Sequence, residues 1–152
     1  MKNIFDFLFG GKDKGKLHGR WYITKYASEA DYKAGKILEK VFAGENCLLN
    51  EGINELFTIL CSASSGTKFD NSNAYIGVGD NNTAAAASQT GLQASTNKLY
   101  KGMEASYPTY GTNQKSTWRS VFGSSDANYA WKEFTVANGN SDSSKNLKRF
   151  VS

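Results

Sequence analysis

The sequence predicts a mainly β, α+β fold: an antiparallel β-sandwich or barrel-like domain with one amphipathic helix packed on it and an extended N-terminal arm. Three observations carry this. Short segments of alternating apolar and polar residues recur through the second half, separated by clusters rich in Gly, Asn, Ser and Asp. Ser, Thr, Asn and Gly are abundant from Ser62 onward, a bias toward turns and polar strand faces. Only one stretch combines a helical apolar period with a cap signal. At 152 residues with 13% aromatic content, the chain suits one domain with an aromatic core. We divide it into an arm and connector, 1–19, and a single β-rich domain, 20–152.

In the arm, Ile4, Phe5, Leu8 and Phe9 recur at helix-like spacing, and the Gly- and Lys-rich residues 10–19 read as a connector. Such a segment either docks in a neighbour's groove or folds onto its own domain. Residues 21–26 and 37–42 read as strands. Between them, Ser28, Glu29 and Asp31 open one helical turn that Gly35 closes. The main helix begins at Asn50, read as its cap, and places Ile53, Leu56, Phe57 and Leu60 on one apolar face expected to lie on the sheet.

Residues 74–79 form a short strand in which Gly77 and Gly79 mark a bulge or a close backbone approach. Residues 80–96 are a long surface loop, either an interface element or solvent-facing. Strands follow at 99–105, 117–122 and 129–136, with Trp118 and Phe122 on one face and Ala130, Phe134 and Val136 on another. A closing strand at 147–151 completes an antiparallel meander.

The net charge of +4 is too small and too dispersed for a phosphate-binding surface, so no specific nucleic-acid partner is expected. Lys12, Lys14, Lys16 and Arg20 crowd one end and Lys145, Lys148 and Arg149 the other, while 45–80 is acidic with Lys68 its only cation. Patches of opposite sign suit contact with other copies or with an acidic shell. The apolar run at 4–9 is broken by Asp6 and stopped by two glycines, too short for a signal core or a membrane span. Synthesis and assembly in a cytoplasm are expected.

Chemistry is sparse. His18 is the only histidine and lies in the connector, so no histidine triad or zinc site assembles around it. Cys47 and Cys61 read as buried free thiols. The Asp and Asn residues at 70–73 and 80–82 lack calcium-loop spacing and read as turn formers. Glu133 stands out in an otherwise apolar strand: the alternatives are a catalytic acid, a solvent-facing charge, or a partner of Arg119 across strands. Tyr107, Tyr110, Tyr129 and Trp131 suit sugar or base stacking, a subunit interface or the core. No catalytic residue, cofactor or metal is expected.

The ordered pieces LLNEGINEL at 48–56, AYIGVGD at 74–80, SQTGLQ at 88–93, TWRSVF at 117–122 and YAWKEF at 129–134 resemble a recurring pattern in virion proteins of tailed bacteriophages. The resemblance implies a β-domain component of heads or tail fibres, non-enzymatic, with other virion proteins and copies of itself as partners. Fibre relatives continue into a shaft where this chain stops at Ser152, so the resemblance favours a capsid decoration or cement role over a tail, baseplate or fibre-attachment role. Contact residues are then expected at Ile4, Phe5, Leu8, Phe9, Lys12, Lys14, Lys16, Tyr107 and Tyr110.

Overall fold

The computed structural model describes residues 19–45, 47–62, 64–112 and 115–152. It is mainly β with two helices. Strands β1 (Arg20–Lys25) and β2 (Glu39–Glu45) form an antiparallel pair. Helix α1 (Glu29–Lys33) lies between them, capped by the Ser28 side chain, which accepts from Asp31 N at 3.1 Å. Gly35 follows at φ 68°, the left-handed stop its position predicts.

Strand β3 (Cys47–Leu48), helix α2 (Asn50–Cys61), β4 (Tyr75–Gly79), β5 (Lys98–Gly102), β8 (Glu133–Ala137) and β9 (Asn146–Val151) build the main body. Its five strands are all antiparallel, in the order β3-β9-β8-β4-β5. Between β5 and β8, β6 (Thr109–Thr112) and β7 (Lys115–Thr117) make a separate ribbon. Most of that ribbon falls between the strands predicted at 99–105 and 117–122, and residues 118–122, predicted as strand, are irregular. The strand expected at 147–151 is present. It forms β9, which lies between β3 and β8.

Because side chains alternate across a strand, register assigns each residue to a face. One face carries Ile76, Val78, Leu99, Phe134, Val136 and Phe150. The β1–β2 ribbon covers it: the Trp21 ring sits 5.7 Å from Phe134, and Phe134 stacks on Phe150 at 5.6 Å. Gly44 allows this approach, since a Cβ there would stand 2.4 Å from the Phe150 ring. Trp118, Phe122, Tyr129 and Trp131 pack around the same core from the loops.

The opposite face carries Tyr100, Glu133, Thr135 and Arg149 opposite Gly77 and Gly79. The glycines are required there. A Cβ at Gly77 would meet Thr135 and the Tyr100 ring at 2.8 Å, and one at Gly79 would meet Glu133 Oε1 at 2.4 Å. These are the close approaches that the sequence anticipates.

Helix α2 corrects two expectations. Its cap is Leu49, which makes no side-chain capping bond, and Asn50 is already helical. More important, the helix is rolled away from the predicted direction. Gly52 is its buried residue, while Leu56, Phe57 and Leu60 are 38%, 50% and 78% exposed. Gly52 explains the roll, because a Cβ there would fall 2.3 Å from Leu147 Cα and 2.5 Å from the Asn146 carbonyl. The helix therefore lies on β9 backbone to backbone. Glu51 Oε1 accepts from Asn146 N at 2.9 Å, and Glu55 Oε1 accepts from Thr67 N and Asn138 Nδ2. Only Ile59 adds an aliphatic contact to the core from the helix's second half.

Gly52→Ala is accordingly expected to destabilise the fold by about 2 kcal/mol: overpacking against rigid backbone costs roughly 1–3 kcal/mol, and the gain in helix propensity returns at most about 1. Urea unfolding should show a lower midpoint at unchanged slope. A midpoint equal to or above the parent's would mean the helix is free to lift from β9.

Candidate interaction site

Glu133 is the carboxylate the sequence singles out, and the structure removes it from solvent altogether: both Glu133 and Arg149 are fully buried. Arg149 Nε donates to Glu133 Oε2 at 2.8 Å, and Nη2 stands at the same distance from that oxygen. Gln93 N donates to Oε2 at 2.8 Å and Ala94 N to Oε1 at 2.7 Å. With two amides and a guanidinium on its oxygens and Gly79 closing one side, the carboxylate has no opening for a substrate. Its expected partner, Arg119, pairs instead with Glu104 at 2.8 Å. Arg149 and Lys148 are likewise not part of a solvated basic patch.

The pair anchors the long loop. Arg149 Nη1 donates to the Thr83 carbonyl and to Gln89 Oε1, each at 2.9 Å. Gln89 Oε1 also accepts from Ala86 N, and Gln89 Nε2 donates to the Ala84 carbonyl. Asn50 N donates to the Ala87 carbonyl at 2.8 Å, which ties the loop to the first turn of α2. Leu92 and Ala94 are buried, whereas Ala84, Ala86, Ala87 and Ser88 are exposed. Residues 80–96 thus form a pinned cover over the polar face with a small-residue rim beside α2.

The other polar clusters serve the fold. Asp70 Oδ1 accepts from Asn73 N and Nδ2, and Asn81 Oδ1 accepts from Thr83 N, the turn roles expected of them. Among the described residues no group of His, Cys, Asp and Glu is placed to hold a metal. In the depression beside β5, Asp142 Oδ1 accepts from the Tyr100 hydroxyl at 2.6 Å, and the second oxygen pairs with Lys98. Burial, with the Asp142 bond second, pushes the Tyr100 hydroxyl well above its usual range and keeps it protonated. Cys47 and Cys61 are free thiols, as expected, but neither is buried: Cys47 is half-buried and Cys61 is exposed.

Lys148 is a half-buried cation packed against aromatic rings. It extends from β9 on the apolar face, its ammonium 4.9 Å from the Trp21 ring centre and 5.8 Å from that of Trp118. Burial lowers its pKa to about 8.

What remains open is apolar surface. Leu56, Phe57 and Leu60 are exposed on α2; separately, Tyr22 and Phe42 are exposed on the β1–β2 ribbon with their rings packed at 5.5 Å, and Ile37 and Leu38 are exposed in the turn before β2. Of the contact residues expected from sequence, Tyr110 is 75% exposed. Tyr107 is half-buried beneath the Arg119 guanidinium at 5.6 Å. Ile4, Phe5, Leu8, Phe9, Lys12, Lys14 and Lys16 lie outside the described residues. Trp131 is not free for stacking: it contacts Phe122 and Phe134, and its Nε1 donates to the Ala127 carbonyl at 2.8 Å. The helical period locates the α2 residues but points them at the core; the small residue at Gly52 is the signal that the opposite side meets the sheet. No helix among the described residues is long and apolar enough to cross a membrane. No known family model, curated protein or solved structure matches the chain.

Proposed function

We propose that the chain is a non-enzymatic structural component of a tailed-phage particle, a capsid-associated decoration or cement subunit that acts through contacts with the capsid protein and with copies of itself. It is made in the host cytoplasm and resides in the virion. The observation that carries the contact role is the outward apolar stripe of α2, whose Leu56, Phe57 and Leu60 are left to water by their own domain. The order of the five sequence segments supports the phage assignment. The use of Glu133 as an anchor for the 80–96 loop supports a mechanical role for the most conspicuous acid. Cementing requires contact area alone, since many symmetric copies sum modest interface energies into a large total.

A tail, baseplate or fibre-attachment position would use the same surfaces. Exposed Tyr110 favours, in addition, a carbohydrate-binding reading in which its ring stacks on a sugar. Quantitative mass spectrometry of purified phage, with empty heads and detached tails as separate fractions, decides among them. Copies tracking with heads, on the order of hundreds, are the expected result. A few copies tracking with tails would transfer the assignment to the tail, and absence from both fractions would refute a structural role and direct attention to glycan binding at Tyr110.

A further inference from the structure

We propose that Lys148 is a covalent capture site for small aldehydes, its amine adding to the carbonyl beside the indoles of Trp21 and Trp118 to give an imine. Register supplies the setting. Lys148 stands opposite Val136 on β8 and Leu48 on β3, so its side chain leaves the sheet on the apolar face that carries Phe134 and Phe150, while Arg149 points to the polar face. The β1–β2 ribbon brings Trp21 to that face. The segment after β7 brings Trp118, whose Nε1 is held by the Phe69 carbonyl at 3.0 Å. The Lys148 nitrogen is left 4.9 Å from one ring centre and 5.8 Å from the other.

Its surroundings set this amine apart from the other lysines. Lys25, Lys33, Lys98 and Lys101 each pair with a carboxylate, and Lys132 and Lys145 are exposed. Lys148 is half-buried, and among the described residues it has neither an ion pair nor a hydrogen-bond acceptor. Trp21, Trp118, Leu48 and Val136, which surround it, carry no ionisable group, and the Glu133–Arg149 pair lies across the sheet. Apolar surroundings without an acceptor favour the uncharged amine, and burial alone lowers its pKa to about 8. At pH 7 about one such amine in ten is unprotonated, against roughly one in three thousand for an ordinary lysine.

A second observation is independent of that charge. Trp21 is 8% exposed, yet its indole N–H has no acceptor among the described residues. This orphaned donor belongs to the ring the amine touches. An aldehyde oxygen brought to Lys148 would supply the acceptor that the fold withholds.

The chemistry balances without an oxidant or a reductant. The nitrogen lone pair adds to the carbonyl carbon, a proton passes from nitrogen to oxygen to give the carbinolamine, and loss of water leaves the carbon–nitrogen double bond. A protonated imine keeps the positive charge of the ammonium it replaces, so the indole faces that attract the cation also serve the product. Acylation would abolish that charge, which is why an aldehyde fits the site better than an acyl donor. The site stands apart from the contact surfaces of α2 and does not depend on where the chain resides.

The test treats the full-length chain at pH 7 with limiting acetaldehyde, traps the imine with cyanoborohydride, and quantifies ethylation of each lysine by peptide mass spectrometry. Lys148 is expected to react at least about tenfold faster than Lys132 and Lys145, a margin that leaves room for its lower basicity and partial burial, and the preference should vanish in the urea-unfolded chain. Trp118→Phe and Trp118→Leu both lose the bond to Phe69, but only the first keeps an aromatic face; it should retain most of the preference, which leucine lowers severalfold. Modification of Lys148 no faster than that of the two exposed lysines would overturn the proposal, as would a preference that survives unfolding. Either result is read on the parent chain alone. Equal preference in the two variants would place the effect outside the indole site and overturn it as well.

Discussion

Arg149→Met is expected to destabilise the fold by about 3–5 kcal/mol, the largest single effect we anticipate, because it leaves the Glu133 carboxylate buried without its counter-charge. The size follows from the site's geometry. Glu133 is fully enclosed, so no side-chain rearrangement short of opening the loop returns it to water. The same substitution removes the donor shared by the Thr83 carbonyl and Gln89 Oε1. Glu133→Gln should cost a similar amount for the converse reason: the guanidinium is then unpaired, and the new amide group adds a donor among donors.

The double variant separates a stabilising ion pair from a merely tolerated one. Apolar replacement of a buried pair is often close to neutral, but here Gln93 N and Ala94 N also depend on the carboxylate. Each amide left without an acceptor costs roughly 1–3 kcal/mol. Glu133→Leu combined with Arg149→Met is therefore expected to be less damaging than the sum of the single changes, yet still clearly less stable than the parent. Denaturant titrations of the four proteins measure the cycle, and hydrogen exchange should show protection at residues 93 and 94 lost first. Additive single effects, or exchange at 93 and 94 no faster than in the parent, would contradict the view that this pair holds the loop.

The sequence makes the architecture legible wherever a pattern is local. Ser28 with Glu29 and Asp31 announces α1, and the glycines at Gly77 and Gly79 announce the crowding that Tyr100, Thr135 and Glu133 create across β4. The roll of α2 is not local. Helical periodicity locates an apolar stripe but carries no information about which side meets the rest of the protein, and Gly52 decides that by permitting contact with the β9 backbone. The partner of Glu133 is hidden for a related reason. A charge in a strand ordinarily faces water, and only the register of β9 on β8 brings Arg149 to the same inner face. One signal was available in principle: residues 80–96 hold many backbone donors and acceptors and no regular structure, so something buried had to satisfy them.

The contact residues expected at Tyr107 and Tyr110 divide for reasons that spacing alone does not reveal. Tyr107 lies under Arg119, which is itself held by Glu104, and Glu104 also accepts from the Tyr32 hydroxyl. That chain of contacts ties α1 to the loop after β5. Tyr110, on β6, has no comparable covering and keeps its ring in water.

Raising the pH from about 8 to 10 is expected to stabilise this protein, against the usual trend, through Lys148. Burial between the aromatic rings of Trp21 and Trp118 lowers its pKa to about 8, whereas a lysine in the unfolded chain keeps a value near 10.5. Below pH 8 the ammonium is charged in both states and the folded form bears the whole cost of burying it. Between the two values the unfolded chain holds the proton that the folded protein has released, so stability rises with pH. At about 1.4 kcal/mol for each tenfold change in proton affinity, the full effect is on the order of 3 kcal/mol, and most of it falls below pH 10. Above that pH the Tyr100 hydroxyl works in the opposite direction, since its raised pKa favours the unfolded chain once free tyrosine ionises. Lys148→Met should therefore stabilise the protein at pH 7 by about 1–3 kcal/mol, reduced by the lost attraction of the ammonium for the two indole rings, and should flatten the rise between pH 8 and 10. Chemical denaturation at several pH values measures both. A parent protein whose stability is flat or falls across that interval, with the methionine variant following the same curve, would show that the ammonium reaches water in the folded state.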